Sequence, residues 1–435
     1  MKNLEQAPAL TNGLQAKALK LIATEGGKEL IHAINAKYYY WDKVKYYNTN
    51  GAANQYELWA AVKLSRSINS HTISFGKHAF HYFLTDAIQE HLHHFDLILG
   101  KRQLSEPGIT SEEQGRYMTS STMEEAIASS QIEGAVTTRT QAKEILRKNL
   151  KPSNKSEQMI VNNYRTIQYI LEHYHHSLTK ERLMEVHRLV TYRTLDDAAD
   201  EGQYRNNNDV TVADMLDGET VYSPPIAAEI ETMMNELFHF FNQAEEKQFI
   251  HPIIKGCIIH FMMGYIHPFV DGNGRTARAL FYWYMLKNGY SLTEYLSISR
   301  LIMKSKNRYA QAFIYTETDQ NDLTYFILYK MKTLKSAYES LQEYIEKKTE
   351  EKRQLYTYHT IPGLNERQVQ ILKWLAEERH LFMTIKEMET CFSISNQSAR
   401  NDLYELVSKG YLKVIPVNKK VKGFSKSERF EELMK

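Results

Sequence analysis

The stretch His267-Pro268-Phe269-Val270-Asp271-Gly272-Asn273-Gly274-Arg275-Thr276-Ala277-Arg278 gathers a histidine, a carboxylate, two glycines and two arginines within a dozen positions. Apolar residues recur at helical spacing from Lys255 to Ile266 before it and from Thr276 to Lys287 after it, and the second run ends near Gly289. The stretch is therefore expected to be a loop that opens a helix. The first turn of a helix has N–H groups without intrahelical partners, and these converge on an anion where glycine lets the backbone approach.

Gly272 and Gly274 permit that approach, while Asn273 between them tolerates a left-handed conformation and adds a side-chain donor. Arg275 and Arg278, three apart, share one face of the new helix. Asp271 is a hard oxygen ligand suited to Mg²⁺, which takes one or two carboxylates and shares the substrate's phosphates for the rest. His267 alone in the loop titrates near neutrality and suits a general base. Together these residues predict a site that binds a nucleoside triphosphate with Mg²⁺ and passes a phosphorus-containing group to a hydroxyl.

At every fixed position the stretch resembles the Fic family motif, His-Pro-Phe-x-(Asp/Glu)-Gly-Asn-Gly-Arg-x-x-Arg. The resemblance implies a helical Fic fold and AMP transfer from ATP to a Ser, Thr or Tyr hydroxyl of a target protein or of the chain itself. It also implies roles. His267 would deprotonate the hydroxyl, and Asp271 would hold Mg²⁺ against the α- and β-phosphates. Gly272, Asn273 and Gly274 would form the anion hole, and Arg275 and Arg278 would bind the β- and γ-phosphates, with the Phe269 ring buried to fix the loop.

Two more segments carry the resemblance. A run of helix formers stops at Gly134, a usual helix end, and its close, Ser129-Ser130-Gln131-Ile132-Glu133-Gly134, fits the family's inhibitory motif (Ser/Thr)-x-x-x-Glu-(Gly/Asn). It implies a helix preceding the Fic core whose Glu133 pairs with Arg278 in place of the γ-phosphate; the same glutamate would equally serve AMP removal. Downstream, Gly202-Gln203-Tyr204-Arg205 leads to Val210, Thr211 and Val212, then through Asp217-Gly218 to Val221 and Tyr222. Two β-branched runs around an Asp-Gly turn predict a hairpin. In Fic proteins a flap here pairs with an extended target segment, a form of strand addition.

The 435 residues are 24% charged and 43% hydrophobic, enough for two or three domains with cores of their own. A net charge of +2 argues against a wholesale nucleic-acid or membrane binder, and the two cysteines, Cys257 and Cys391, fit a reducing compartment. With no apolar run of membrane-spanning length, the expected location is the cytoplasm. The remaining histidines, including His260 seven residues before His267, are assigned packing roles.

The expected fold is mainly α: a Fic-fold core with a β-hairpin flap and a C-terminal winged-helix domain. The boundaries are an N-terminal helical region at 1–115, the Fic domain at 116–335, a charged helical linker at 336–363 and the winged helix at 364–435. Within the Fic domain the inhibitory helix is expected at about 121–134, the flap at about 209–222 and the catalytic loop at 267–278. The winged helix rests on three helical segments and a strand from Tyr411 to Pro416. Residues 407–429 carry seven basic residues against one acidic, the kind of stripe that phosphate contact requires.

The expected partners are ATP, a protein bearing the acceptor hydroxyl, DNA through the winged helix, and a second copy, because Fic cores often self-associate. Other readings stay open: AMP removal, another nucleotidyl or phospho-group transfer, or a DNA-binding transcriptional regulator whose Fic core senses nucleotide.

Overall fold

The computed structural model describes all residues except 1–3, 69, 101–110, 214–219, 244–248, 358–362, 378–381, 419–420 and 434–435. The N-terminal region runs α1 (Asn12–Ala23), α2 (Glu25–Lys37), α3 (Trp41–Val44), α4 (Gln55–Ile68), strands β1 (Ser70–Phe75) and β2 (His78–Phe83), and α5 (Asp86–Leu99). Next come α6 (Ser111–Ile132), α7 (Arg139–Lys148), α8 (Lys155–His173), α9 (Lys180–Thr191), strands β3 (Val212–Ala213) and β4 (Thr220–Tyr222), and α10 (Ala227–Asn242). The loop of interest joins α11 (Pro252–Ile266) to α12 (Asn273–Lys287), and α13 (Ile298–Lys304), α14 (Lys306–Thr318) and the long α15 (Thr324–Thr357) follow. The chain closes with α16 (Glu366–Glu377), β5 (Met383–Thr384), α17 (Ile385–Phe392), α18 (Asn396–Ser408), β6 (Leu412–Pro416), β7 (Lys422–Lys426) and α19 (Phe430–Leu433).

These elements form two units. The first comprises Met1–Arg102, Gln168–Thr293 and Leu301–Ser336. At its centre α11 is buried on every side, from Ile253 and Ile254 through Cys257, Phe261 and Met262 to Ile266, as expected of a helix apolar all round. Pro252 at its first turn and His251 as its cap set its start, three residues earlier than the periodicity alone predicts. α12 packs along it, and Phe261, Phe313 and Phe326 form an aromatic cluster with centroids 4.7 to 5.4 Å apart.

The N-terminal region is helical with one addition to the expectation: β1 and β2 pair as an antiparallel hairpin, Ile73 opposite Phe80, turning through Gly76-Lys77. The aromatic segment Tyr38, Tyr40 and Trp41 is buried. Arg66 and Lys63, both buried, join this region to the core, Arg66 Nη1 donating to Tyr325 Oη at 2.9 Å and Lys63 pairing with Asp319 at 2.9 Å.

The second unit comprises Gln103–Ile167, Glu294–Arg300 and Ala337–Lys435. Its C-terminal part is a winged helix, three helices backed by a small antiparallel sheet of order β5-β7-β6 around Ile371, Leu372, Met388, Leu403, Leu406 and Phe424. Thr384 and Glu387 form a capping box at the start of α17, and Ser395 caps α18. α17 lies against both α6 and α7. There the buried Glu387 carboxylate pairs with Arg147, Arg116 stacks over Phe392 at 5.2 Å, and Lys148 over Phe382 at 4.6 Å.

Candidate active site

The loop between α11 and α12 is built almost wholly from backbone contacts. His267 ends α11 in the left-handed region with φ 49°, a conformation that a non-glycine residue holds only where its surroundings enforce it. Arg205 does so: its Nε donates to the His267 carbonyl at 2.8 Å, its backbone N–H to the Pro268 carbonyl at 2.9 Å, and its Nη2 to the Pro225 carbonyl at 2.5 Å. The His267 Nδ1–H donates to the Gly264 carbonyl at 3.1 Å, so in the neutral ring the lone pair resides on Nε2. That is the tautomer of a base.

The Phe269 ring is fully buried, as expected, and the Asn273 side chain closes the loop around it. Asn273 Nδ2 donates to the Phe269 carbonyl at 2.8 Å, and its Oδ1 accepts from the Phe269 N–H at 3.0 Å. These bonds set the side chain to holding the loop, so its backbone N–H is the group that α12 presents at its first turn. Gly272 caps α12 at φ 84°, where a Cβ would lie 2.8 Å from Thr191 Cγ2. No side chain caps this helix, so its first-turn N–H groups lack an intrahelical acceptor and form an anion cradle.

Arg275 is completely buried, its Nη1 donating to the Val190 carbonyl at 3.0 Å and its Nη2 pairing with Asp271 at 3.2 Å. Arg278 lies one turn further on, also buried. The Asp271 side chain is 51% exposed at the mouth. Among the described residues no group of three or more His, Cys, Asp or Glu gathers as a metal site. One half-exposed carboxylate beside an anion cradle fits Mg²⁺ that arrives with a nucleotide and takes most of its ligands from phosphate and water.

His187 on α9 and Arg205 are the loop's main supports, and sequence reasoning gave neither a role. His187 lies on the buried face of α9 with Leu183, Val186 and Val190. Its ring stacks on Phe269 with centroids 3.7 Å apart and planes 8° apart. Burial drives its pKa down to about 4, so the ring is neutral. A histidine on an otherwise apolar helix face, ahead of Gly202-Gln203-Tyr204-Arg205, was the available signal.

The flap is a hairpin, with Val212 opposite Tyr222 and Ala213 opposite Thr220 and an irregularity between Val212 and Ala213. Val210 and Thr211 precede the paired strand, and the Asp217-Gly218 turn falls outside the described residues. The Tyr222 hydroxyl donates to the Tyr265 carbonyl at 2.9 Å, tying the flap's base to α11. His260 is buried beneath and bonded through Nε2 to the Tyr309 hydroxyl at 2.8 Å.

Ser129, Glu133 and Gly134 lie at the end of α6, in the second unit. Gly134 at φ 92° terminates the helix, and the Ala135 N–H returns to the Ser130 carbonyl at 3.0 Å. Ser129 is buried, and Ser130 Oγ donates to the Ala126 carbonyl at 2.8 Å. Glu125 accepts from the Ser299 N–H at 2.7 Å, and Glu124 joins Arg139 and Lys143 of α7.

A helical fold that presents this loop at the start of α12, with a hairpin flap anchored to α11, is a Fic fold. Residues 177–285 match the Fic/DOC family and residues 367–415 the DeoR-like helix-turn-helix domain. The chain thus carries a Fic domain and a C-terminal helix-turn-helix domain of winged form.

Among curated proteins it is similar to the protein adenylyltransferase Fic of Nematostella vectensis, 34% identical over 116 residues that cover 26% of this chain and 24% of that one. It is also similar to the protein of the same name from Drosophila mojavensis, 31% identical over 113 residues covering 26% and 20% of the two. The chain therefore spans a quarter or less of the length of these relatives. Of solved structures, a Fic family protein from Desulfovibrio desulfuricans shares the fold at a TM-score of 0.51 and 19% identity, covering 80% of this chain and 98% of that one.

Proposed function

We propose that the chain is a protein adenylyltransferase. The observation that carries this reading is the fixed tautomer of His267 beside the uncapped start of α12. His267 Nε2 takes the proton from a target hydroxyl, whose oxygen attacks the α-phosphorus of ATP. The Pα–O–Pβ bond breaks and pyrophosphate leaves, giving AMP joined to the target by a phosphodiester. The backbone N–H groups of Gly272, Asn273 and Gly274 meet the charge that develops on the transferring phosphate. Arg275 and Arg278 receive the β- and γ-phosphates, and Mg²⁺ held by Asp271 would neutralise the polyphosphate. The flap offers β3 and β4 to an extended target segment.

Glu133 holds the enzyme in check in this reading, supported by the match of residues 129–134 to the family's inhibitory motif. The test is transfer of label from ATP tagged at the α-phosphate to the chain itself and to a lysate. Native protein, Glu133→Gly, and Glu133→Gly with His267→Ala are compared. Labelling confined to Glu133→Gly with His267 intact is the expected result. Labelling that survives loss of His267 would remove it as the base. A native chain that instead strips AMP from a pre-labelled target would make AMP removal the main activity.

The winged helix supports a second activity, DNA binding. α18 exposes Asn396, Gln397, Arg400, Asn401 and Tyr404 along one face, a polar surface able to contact base edges and phosphates, and Lys422 of the wing lies beside it, its Nζ 3.5 Å from the Tyr404 hydroxyl. Filter binding to duplex DNA should weaken steeply with salt. Binding indifferent to salt, or none at all, would leave this domain to protein contacts.

A further inference from the structure

The peptide between Asp271 and Gly272 has its orientation set from outside the motif. His187 Nδ1 accepts the buried Gly202 N–H at 2.9 Å, so the ring proton resides on Nε2, and Nε2–H donates to the Asp271 carbonyl at 2.9 Å. A trans peptide is planar, with C=O and N–H pointing in opposite directions. Holding the Asp271 carbonyl on α9 therefore aims the Gly272 N–H away from α9, where it donates to Asp271 Oδ1 at 2.5 Å. The stacked Phe269 ring and the close approach of Gly272 to Thr191 and His187 leave the same helix touching the loop at Phe269, Asp271 and Gly272.

We infer that His187 is a positioning residue for transfer: by fixing the Asp271–Gly272 peptide it keeps the Gly272 N–H aimed away from α9, where it now meets a carboxylate oxygen of Asp271 and where a phosphate oxygen would take that place in transfer. This rests on the transferase reading of the loop. It needs no change of charge on His187, only a neutral ring with its proton on Nε2, and that tautomer is dictated by the Gly202 N–H. Without the hydrogen bond the peptide is free to turn over, which would replace a donor with a carbonyl oxygen in the anion cradle. Ground-state ATP binding would remain with the arginines and the other amides, so the loss should fall on turnover.

Two variants in the Glu133→Gly background separate this role from general support of the fold. His187→Phe keeps a stacked ring and loses both hydrogen bonds, whereas His187→Gln offers an amide N–H to the Asp271 carbonyl. His187→Phe should lower kcat for self-labelling by about 10², the usual cost of losing one such donor. The KM for ATP should stay within about twofold, the pattern of an interaction made only in the transition state. His187→Gln should recover roughly tenfold of the loss, or about 1.4 kcal/mol. A His187→Phe protein with native kcat, or a Gln variant no better than Phe, would overturn the inference.

Amide exchange of the segment 269–276 without nucleotide gives a readout independent of chemistry. It should quicken in His187→Phe and return toward native in His187→Gln, and unaltered exchange in both would overturn the inference even if no labelling occurs. Failure of Glu133→Gly itself to label, with His267 intact, would instead count against the transferase reading and leave exchange to judge His187.

Discussion

The loop 267–278 in the first unit and helix α6 in the second are held by different chemistry. The loop hangs between two helices packed in an apolar core, and most of its bonds run from buried side chains to backbone carbonyls, with Asp271 as the one carboxylate among them. α6 instead buries a polar row, Glu124, Glu125, Ser129 and Ser130, and is tied down by carboxylates to α7 and to Ser299. The winged helix adds to α6 and α7 an ion pair from Glu387 and the rings of Phe392 and Phe382, which lie under Arg116 and Lys148. Apolar packing with buried backbone bonds suits a site that must keep sub-ångström geometry. The winged helix rests on α6, whose last turn carries Ser129 and leads into Glu133.

The comparison can be broken most sharply at His267. Its replacement by alanine in the Glu133→Gly protein should cut transfer by about 10³ with little change in ATP affinity, as loss of a general base does. Equal losses of binding and rate, measured by titration and by labelling, would mean the residue supports the loop and takes no proton.

Arg147→Ala comes next. It strands the buried Glu387 carboxylate and should cost the second unit about 2–3 kcal/mol, discounted because Arg147 is partly exposed. Hydrogen exchange should quicken in α17 and α6 while ATP binding at the first unit is retained. Should exchange in α11 rise equally, the two units would not be separable as described.

Gly272→Ala tests the other side. A Cβ at φ 84° collides with Thr191, and the strain should cost about 1–3 kcal/mol in the first unit. ATP affinity should fall with stability, because the same turn aims the cradle.

The comparison can also be drawn in pH, where the two units differ in sign. Burial pushes the Glu317 carboxyl of α14 up to about 8. A raised folded pKa favours the fold below the unfolded value, so stability from this group is lost as pH rises from 4.5 through about 8. Glu124 of α6 is the reverse: desolvation opposes its charge, but Arg139 and Lys143 outweigh it and lower the pKa. Its stability is present above 4.5 and lost as pH falls below. Melting curves across pH should show Glu317→Gln without the neutral-side decline and Glu124→Gln without the acid-side one.

Much of this was legible locally. Gly134 ends α6 and Ser395 caps α18 because those residues act within one turn of themselves. The flap was readable from two β-branched runs, and the winged helix from its helix spacing and basic close. The β1–β2 hairpin was passed over although Gly76-Lys77 is a two-residue turn, because the flanking region reads as helical throughout. Arg205 had no local signal for its hold on the loop, since the carbonyls it holds there lie 62 and 63 positions away.

By itself the sequence determined which groups are neighbours: a histidine, a carboxylate, two glycines and two arginines fall within twelve positions at the start of one helix, so local helix and turn geometry keeps them near one another. Only the tertiary structure decided the loop's aim. Which way the Asp271–Gly272 peptide faces is decided by His187, 84 positions away, whose ring also stacks on Phe269. Those partners meet only when α9, α11 and α12 pack, and hydrogen-bond direction is set by the atoms that packing brings within 3 Å.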